Sequence, residues 1–189
     1  MSCYLSCENI ELKVGYHTLV SRFSLSVKSA QSVAITGSNG SGKTTLLRVL
    51  AGLSKPHSGK VTVMSEQISP NNETQHEHYC IFLSNIPSLL LDHCVLWNLE
   101  FFTNSYGLKF TIFEYQSALK KVGLENREYQ VARTLSTGQK RRLSLASLIL
   151  SKPNIILADE PTNGLDEIGT QRCLNIFEDL RIHNHSSII

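Results

Sequence analysis

Gly37-Ser38-Asn39-Gly40-Ser41-Gly42-Lys43-Thr44, followed by Thr45, fills the pattern G-x-x-x-x-G-K-[ST] at every fixed position. The residue types answer one physical need, which is to wrap a chain of phosphates with backbone N–H groups. Glycines at 37, 40 and 42 let the chain curve around an anion without Cβ clashes. A helix beginning at Lys43 directs its positive end at the same anion. In such a loop Lys43 reaches the β- and γ-phosphates, Thr44 offers a hydroxyl to Mg²⁺, and Ser41 and Thr45 add donors. The flanks agree. Val33-Ala-Ile-Thr36 reads as a short buried strand entering a tight turn, and residues 43–50 read as a helix closed by Gly52 and Pro56.

Outward from the loop, Phe23-Ser-Leu-Ser-Val27 alternates apolar and polar residues as a half-buried strand does, and Gly59-Lys-Val-Thr-Val63 and residues 79–83 read as further strands. Residues 95–106, 111–122 and 139–151 carry helical spacing. Ile155-Ile-Leu-Ala158 is again a buried-strand run. A helix over about 167–181 follows, with Leu174, Phe177 and Leu180 on one face, and Ser187-Ile-Ile189 opens one more strand. Strands alternating with helices predict an α/β fold with a mostly parallel sheet. The helical middle, about 86–150, reads as a lobe inserted in a single domain covering 1–189.

Two carboxylates, Asp159 and Glu160, close the Ile155 run. Consecutive strand residues point to opposite faces, so Asp159 is placed to face a Mg²⁺ shell while Glu160 faces another point near a γ-phosphate. There a carboxylate can orient and deprotonate an attacking water. Between the two sites lies Leu135-Ser136-Thr137-Gly138-Gln139-Lys-Arg-Arg142. Ser136 and Gln139 have the spacing of a capping box, and the helix start beside Gly138 is a second anion site.

Leu135-Ser-Thr-Gly-Gln139 resembles the signature LSxGQ of the ABC (ATP-binding cassette) ATPases, and Asn163-Gly-Leu-Asp166 resembles that family's D-loop. The resemblance extends over essentially the whole chain. It implies a P-loop NTPase core with N-terminal antiparallel strands and an inserted helical lobe, using ATP and Mg²⁺. It implies a head-to-tail homodimer in which Ser136, Thr137, Gly138 and Gln139 of one copy meet the γ-phosphate held by Lys43 of the other. Asp166 would link the two sites, Glu160 would be catalytic with Lys43, and Thr44 and Asp159 would hold the metal.

The chain departs from the family at three points. Counting back from Asn98, the glutamine of the Q-loop falls on Asn85, which keeps the amide but shortens its reach to Mg²⁺. The aromatic that stacks on adenine falls on Val14, with Tyr16 as the substitute. The switch histidine follows the strand opening at Ser187, and the sequence stops at Ile189, so its C-terminal end reads as truncated ahead of that position or as lacking that sensor. His183 and His185 precede the strand. Two readings follow: a transport ATPase, and an ATP-responsive assembly module with little hydrolysis.

Composition is that of an ordinary globular domain of 189 residues, and a net charge of +2 spread along the chain gives no nucleic-acid surface. No apolar run approaches the roughly 18 residues a membrane span needs, and the N-terminus lacks a signal-peptide pattern. Five irregularly spaced cysteines read as free thiols of a reducing compartment rather than as a Cys3/Cys7 metal pair. His76-Glu-His78, in the polar stretch 69–78, reads as a solvated loop.

The compact lobe, the 135–142 string and Val95-Leu-Trp-Asn-Leu-Glu-Phe-Phe102 are similar to the cytochrome c maturation ATPases (CcmA type). That similarity implies a peripheral subunit on the cytoplasmic face of a bacterial inner membrane, coupled to haem export through CcmB-like and CcmC-like membrane partners. Other small transporter ATPases are the second choice. Leu89-Leu-Leu91 with Phe101-Phe102 reads either as the groove for a membrane subunit's coupling helix or as lobe core.

Overall fold

A computed structural model of the protein describes residues 3–64, 66–68 and 80–189. The stretch 69–78 with His76 and His78, Tyr79 at the head of one expected strand, and the Cys3 side chain lie outside the described residues. The chain forms two compact units: Met1–Phe82, Pro153–Asp159 and Arg181–Ile189 make the first, and Leu83–Lys152 with Glu160–Leu180 make the second.

In the first unit, β1 (Cys3–Val14) pairs antiparallel with both β2 (His17–Lys28) and β3 (Ser58–Val63), and β3 pairs with β4 (Glu66–Ile68), giving the order β2-β1-β3-β4. The inward residues of β1 are Leu5 and Cys7, then Ile10 and Leu12. Alternation slips by one residue between the pairs, and a register shift there, with Asn9 at φ 52°, restores the apolar face. Opposite it, a Cβ on Gly59 would lie 2.5 Å from the Glu8 carbonyl oxygen, and Gly59 itself has φ 94°, so only glycine fits.

A second sheet runs β5-β6-β7, from β5 (Cys80–Leu83), β6 (Ile155–Ala158) and β7 (Ser187–Ile188), with β6 and β7 parallel. The expected buried strand at 33–36 is instead irregular, and the residue before it, Ser32, makes an isolated parallel bridge to Ile188. Val33 N–H donates to the Ile188 carbonyl at 2.8 Å and the Ile188 N–H to that of Gln31 at 3.0 Å. Val33 and Ile35 are half-buried while Ala34 and Thr36 are exposed, so the run has one covered face. Strand formation depends on a partner as well as on β-branched residues.

Helix α1 (Lys43–Leu50) buries Leu46, Leu47, Val49 and Leu50 in a core shared with Leu5, Ile10, Ile155 and Leu157. Each fully buried leucine or isoleucine there contributes about 1.5–3 kcal/mol. Gly52, at φ 72°, ends the helix as expected.

The second unit packs α2 (Val95–Ser105) and α3 (Ile112–Lys121) against α4 (Thr137–Ser151), followed by α5 (Glu167–His183), whose last residues belong to the first unit. A buried Thr103–Tyr115 hydroxyl pair at 2.8 Å joins α2 to α3. The inward face of α5 is Gly169, Cys173, Ile176, Phe177 and Leu180. Leu174, expected on that face, is 50% exposed, because the 173/177/180 spacing turns it outward. No helix among the described residues is long and apolar enough to cross a membrane.

Candidate functional site

The phosphate-loop residues lie at the start of α1 in the first unit. Gly42 is the N-cap, with φ 94°, and as a glycine it brings no capping side chain to this helix end. The first hydrogen bond of the helix runs from Leu46 N–H to the Gly42 carbonyl, so the N–H groups of Lys43, Thr44 and Thr45 precede the helical ladder. A Cβ at Gly42 would also lie 3.2 Å from Leu19 Cβ, so both backbone and neighbour call for glycine. Gly40 has φ 79°, and Ser41 N–H donates to the Ser38 carbonyl at 3.2 Å, tightening the curve. Lys43 Nζ donates to the Gly37 and Ser38 carbonyls, each at 2.9 Å, which holds the ammonium over the loop. Gly37, Ser38, Asn39 and Thr44 are exposed, so the loop faces solvent.

Asp159 meets Thr44 in the same unit. The Thr44 hydroxyl donates to the carboxylate, with its Oγ1 at 3.1 and 2.9 Å from the two oxygens, and Asp159 is 5% exposed. One hydroxyl and one buried carboxylate, both hard oxygen donors, suit Mg²⁺, which takes one or two carboxylates with substrate phosphates. The uncapped helix start with the Lys43 ammonium suits a polyphosphate anion.

Strand β6 ends at Ala158, so both acids lie past the strand and strand alternation does not separate them. Glu160 takes φ 49°, an uncommon left-handed conformation for a non-glycine residue that costs about 1–2 kcal/mol. It belongs to the second unit with Asn85, Asn163 and Arg141. Its Oε2 accepts from Asn85 Nδ2 and from Asn163 Nδ2, each at 3.4 Å. Its carbonyl accepts from Arg141 Nη1 at 3.3 Å.

Ser136 caps α4: its Oγ accepts from Gln139 N–H at 3.2 Å, and Gln139 Oε1 accepts from Ser136 N–H at 2.9 Å. The helix thus begins two residues before the expected 139. Ser136 and Thr137 are exposed. A Cβ on Gly138 would stand 3.1 Å from the Gly164 carbonyl oxygen, so the start of α4 packs on the 163–164 turn. Asp166 caps α5, its Oδ1 accepting from Gly169 N–H at 2.7 Å. The contact of Asn163 with Glu160, the role of Arg141 and this cap went unread in the sequence. Only the helical period 141, 145, 148 marks Arg141 as an inward member of the basic run. Tyr16 and Val14, at the β1–β2 turn, are both exposed.

The sequence matches the family model for the ABC transporter over residues 20–163, more than half of the chain. The chain belongs to the ABC transporter family of ATP-binding proteins. It is 34% identical over 174 residues to the cytochrome c biogenesis ATP-binding export protein CcmA of Mannheimia succiniciproducens, covering 92% of this chain and 80% of that one. It is 35% identical over 185 residues to the lipoprotein-releasing system ATP-binding protein LolD of Francisella tularensis subsp. holarctica, covering 92% and 78%. These near-equal values support the family and not its cytochrome c branch. A putative ABC transporter ATP-binding protein of Methanosarcina mazei is 32% identical over 98% of this chain, which spans only 38% of that relative's length.

The fold agrees with solved ABC ATPases. A putative ABC transporter ATP-binding protein from Pyrococcus furiosus superposes with TM-score 0.83 at 23% identity, over 97% of this chain and 89% of that one. A dimeric ATP-binding cassette bound to ADP and Pi gives 0.86 at 24%, over 97% and 85%.

On this ABC ATPase lobe, Asn98 is buried and clamps the loop before α2: its Oδ1 accepts from Leu90 N–H at 2.8 Å, and its Nδ2 donates to the Leu90 and Cys94 carbonyls, each at 3.0 Å. The clamp leaves Leu90, Leu91 and Phe101 exposed, so these three do not form lobe core, while Leu89 and Phe102 are half-buried. Beside them, His93, Trp97 and Phe101 stack at 3.8 and 5.2 Å.

Proposed function

We propose that the chain is the MgATP-binding and MgATP-hydrolysing subunit of an ABC transporter. The observation that carries the reading is the uncapped start of α1, with Lys43 Nζ held over the loop and Thr44 beside the buried Asp159. Residues Gly37, Ser38, Asn39, Gly40, Ser41, Gly42, Lys43, Thr44 and Thr45 bind the triphosphate through backbone N–H groups, the Lys43 ammonium and the hydroxyls. Thr44 and Asp159 hold Mg²⁺, which when bound neutralises charge on the transferred phosphoryl group. Glu160 orients the attacking water and takes its proton. Asn85 and Asn163 hold the Glu160 carboxylate from one side.

The active form is a head-to-tail dimer. Ser136, Thr137, Gly138 and Gln139 of each copy cover the nucleotide held by Lys43 of the other, and Asp166 links the sites. The exposed Leu90, Leu91 and Phe101 edge receives a helix of an integral membrane subunit. We assign the cargo to haem in c-type cytochrome biogenesis, on the 135–142 string and the CcmA relative. With that cargo the complex would sit on the cytoplasmic face of a bacterial inner membrane. Lipoprotein release, supported by the LolD relative, is the competing cargo, and a CcmB-like or a LolD-associated membrane partner recovered with the tagged chain separates the two.

The deciding experiment compares wild type with Glu160→Gln. Wild type turns over ATP only with Mg²⁺, and the variant binds ATP with wild-type affinity but turns over at least about 100-fold more slowly. Undiminished turnover in the variant removes Glu160 from its role. A wild type that binds but does not hydrolyse ATP favours the assembly-module reading, for which the Asn85 departure speaks.

A further inference from the structure

Arg141 is 2% exposed and lies five residues beyond Ser136 on α4. A buried cation is costly unless it finds acceptors, and the two terminal nitrogens of this one reach two short segments of chain. Nη1 donates to the Ser84 carbonyl at 3.4 Å and to the Glu160 carbonyl at 3.3 Å. Nη2 donates to Asn85 Oδ1 at 2.9 Å and to the Asn85 carbonyl.

A guanidinium has donors and no acceptor. Its contact with Oδ1 therefore decides which way the Asn85 amide faces: oxygen toward Arg141, nitrogen toward Glu160 Oε2. Asn163 Nδ2 donates to the same Oδ1 at 3.3 Å. An amide oxygen has two lone pairs, and both are engaged here. Arg141 also holds the carbonyl of Glu160, the residue that carries the costly left-handed backbone.

We infer that Arg141 is a positioning residue for Glu160, acting through Asn85, and that Asn85 serves the Glu160 carboxylate rather than the metal. The inference rests on the functional reading above. The rigid fork of arginine, bridging residues 84–85 and 160, is the part that lysine cannot reproduce. Asn85 is then an orienter of the Glu160 carboxylate.

The test compares wild type, Asn85→Ala, Arg141→Lys and the double variant by direct ATP binding, kcat and KM, with hydrogen exchange on the nucleotide-free proteins. Each single variant lowers kcat roughly 10- to 100-fold, as misplacement of a reacting group does, with ATP affinity changed less than about threefold. The double variant is no worse than the poorer single one within about threefold, because both break one link. In Arg141→Lys the amides at 84–86 and 160–163 exchange about tenfold faster, with the rest of α4 unchanged.

Losses that multiply in the double variant, or an affinity loss matching the kcat loss, overturn the inference. If Arg141→Lys does not fold, Asn85→Ala decides alone: kcat within about threefold of wild type overturns it. A wild type without ATP binding sinks the functional reading itself, and this inference with it. A wild type that binds and turns over ATP beside insensitive variants sinks the inference alone.

Discussion

On the proposed function, Lys43 and Glu160 would do separable work, one in gripping charge and the other in moving a proton. Removing the Lys43 ammonium leaves the loop's backbone donors in place. Lys43→Ala is therefore expected to weaken ATP binding by about 10- to 100-fold, the worth of charge-assisted hydrogen bonds to one cation, in an equilibrium titration. Lys43 was legible because its neighbours are fixed by backbone curvature, which only glycine at defined spacing permits. Arg141 was not, because Lys140-Arg-Arg142 is a run of three like cations in which no adjacent residue marks one as inward. The inward member is set by what α4 packs on: Leu145 and Leu148 follow Arg141 on the buried side, while Arg142 Nη1 donates instead to the Val122 and Gly123 carbonyls past the end of α3. Asp166 likewise read as a linker between sites, and its hydrogen bond to Gly169 N–H adds a local task that needs no partner.

Helices were read to within two residues because their ends carry side-chain signals. At α4 the Ser136–Gln139 box serves stability, while the Ser136 hydroxyl is assigned to a nucleotide on the partner copy. The two roles can be separated. Ser136→Ala loses the cap and should cost about 1 kcal/mol, whereas Ser136→Gly should cost only a few tenths. Both lack the hydroxyl, so both should lose ATP-driven dimerisation, and thermal melts beside light scattering check this. A Ser136→Gly protein that still dimerises would free the hydroxyl from its assigned contact. At the start of α3, the N–H and hydroxyl of Thr111 donate to Glu114 Oε2 at 2.7 and 2.8 Å, and hold its carboxyl below the usual carboxylate range. A depressed value stabilises the fold above the ordinary carboxylate range, and that stabilisation is lost as pH falls through the folded value. Glu114→Gln should melt lower than wild type at neutral pH, with the gap closing on acidification. Strands were harder to read. Residues 33–36 have strand composition, but among the described residues the one bridge beside them is Ser32 to Ile188, and the slip in β1 at Asn9 is written in its contact with Gly59, far along the chain.

At the scale of the whole molecule, the order of motifs along the chain was enough for the family and the fold, because each motif sets residue types at a defined spacing. The division into units was less legible. Helical spacing suggested a lobe at 86–150, whereas the second unit also takes Glu160–Leu180. The change of unit falls between Asp159 and Glu160, where the backbone turns left-handed. The cargo was not legible, since the surface that would choose a membrane partner is built from leucines and aromatics of ordinary kind, and CcmA and LolD relatives are about equally similar. With Glu160→Gln and ATP, the chain should shift from monomer to dimer in light scattering and return to monomer when ADP replaces ATP. A mass that stays monomeric with saturating ATP would contradict the head-to-tail arrangement.

The most direct measurement is a calorimetric titration of the chain with ATP, with and without Mg²⁺, repeated on Lys43→Ala. The account predicts saturable binding near one nucleotide per chain, tighter with Mg²⁺ and sharply weakened by the substitution. The absence of saturable binding, or binding indifferent to both Mg²⁺ and Lys43, would contradict it.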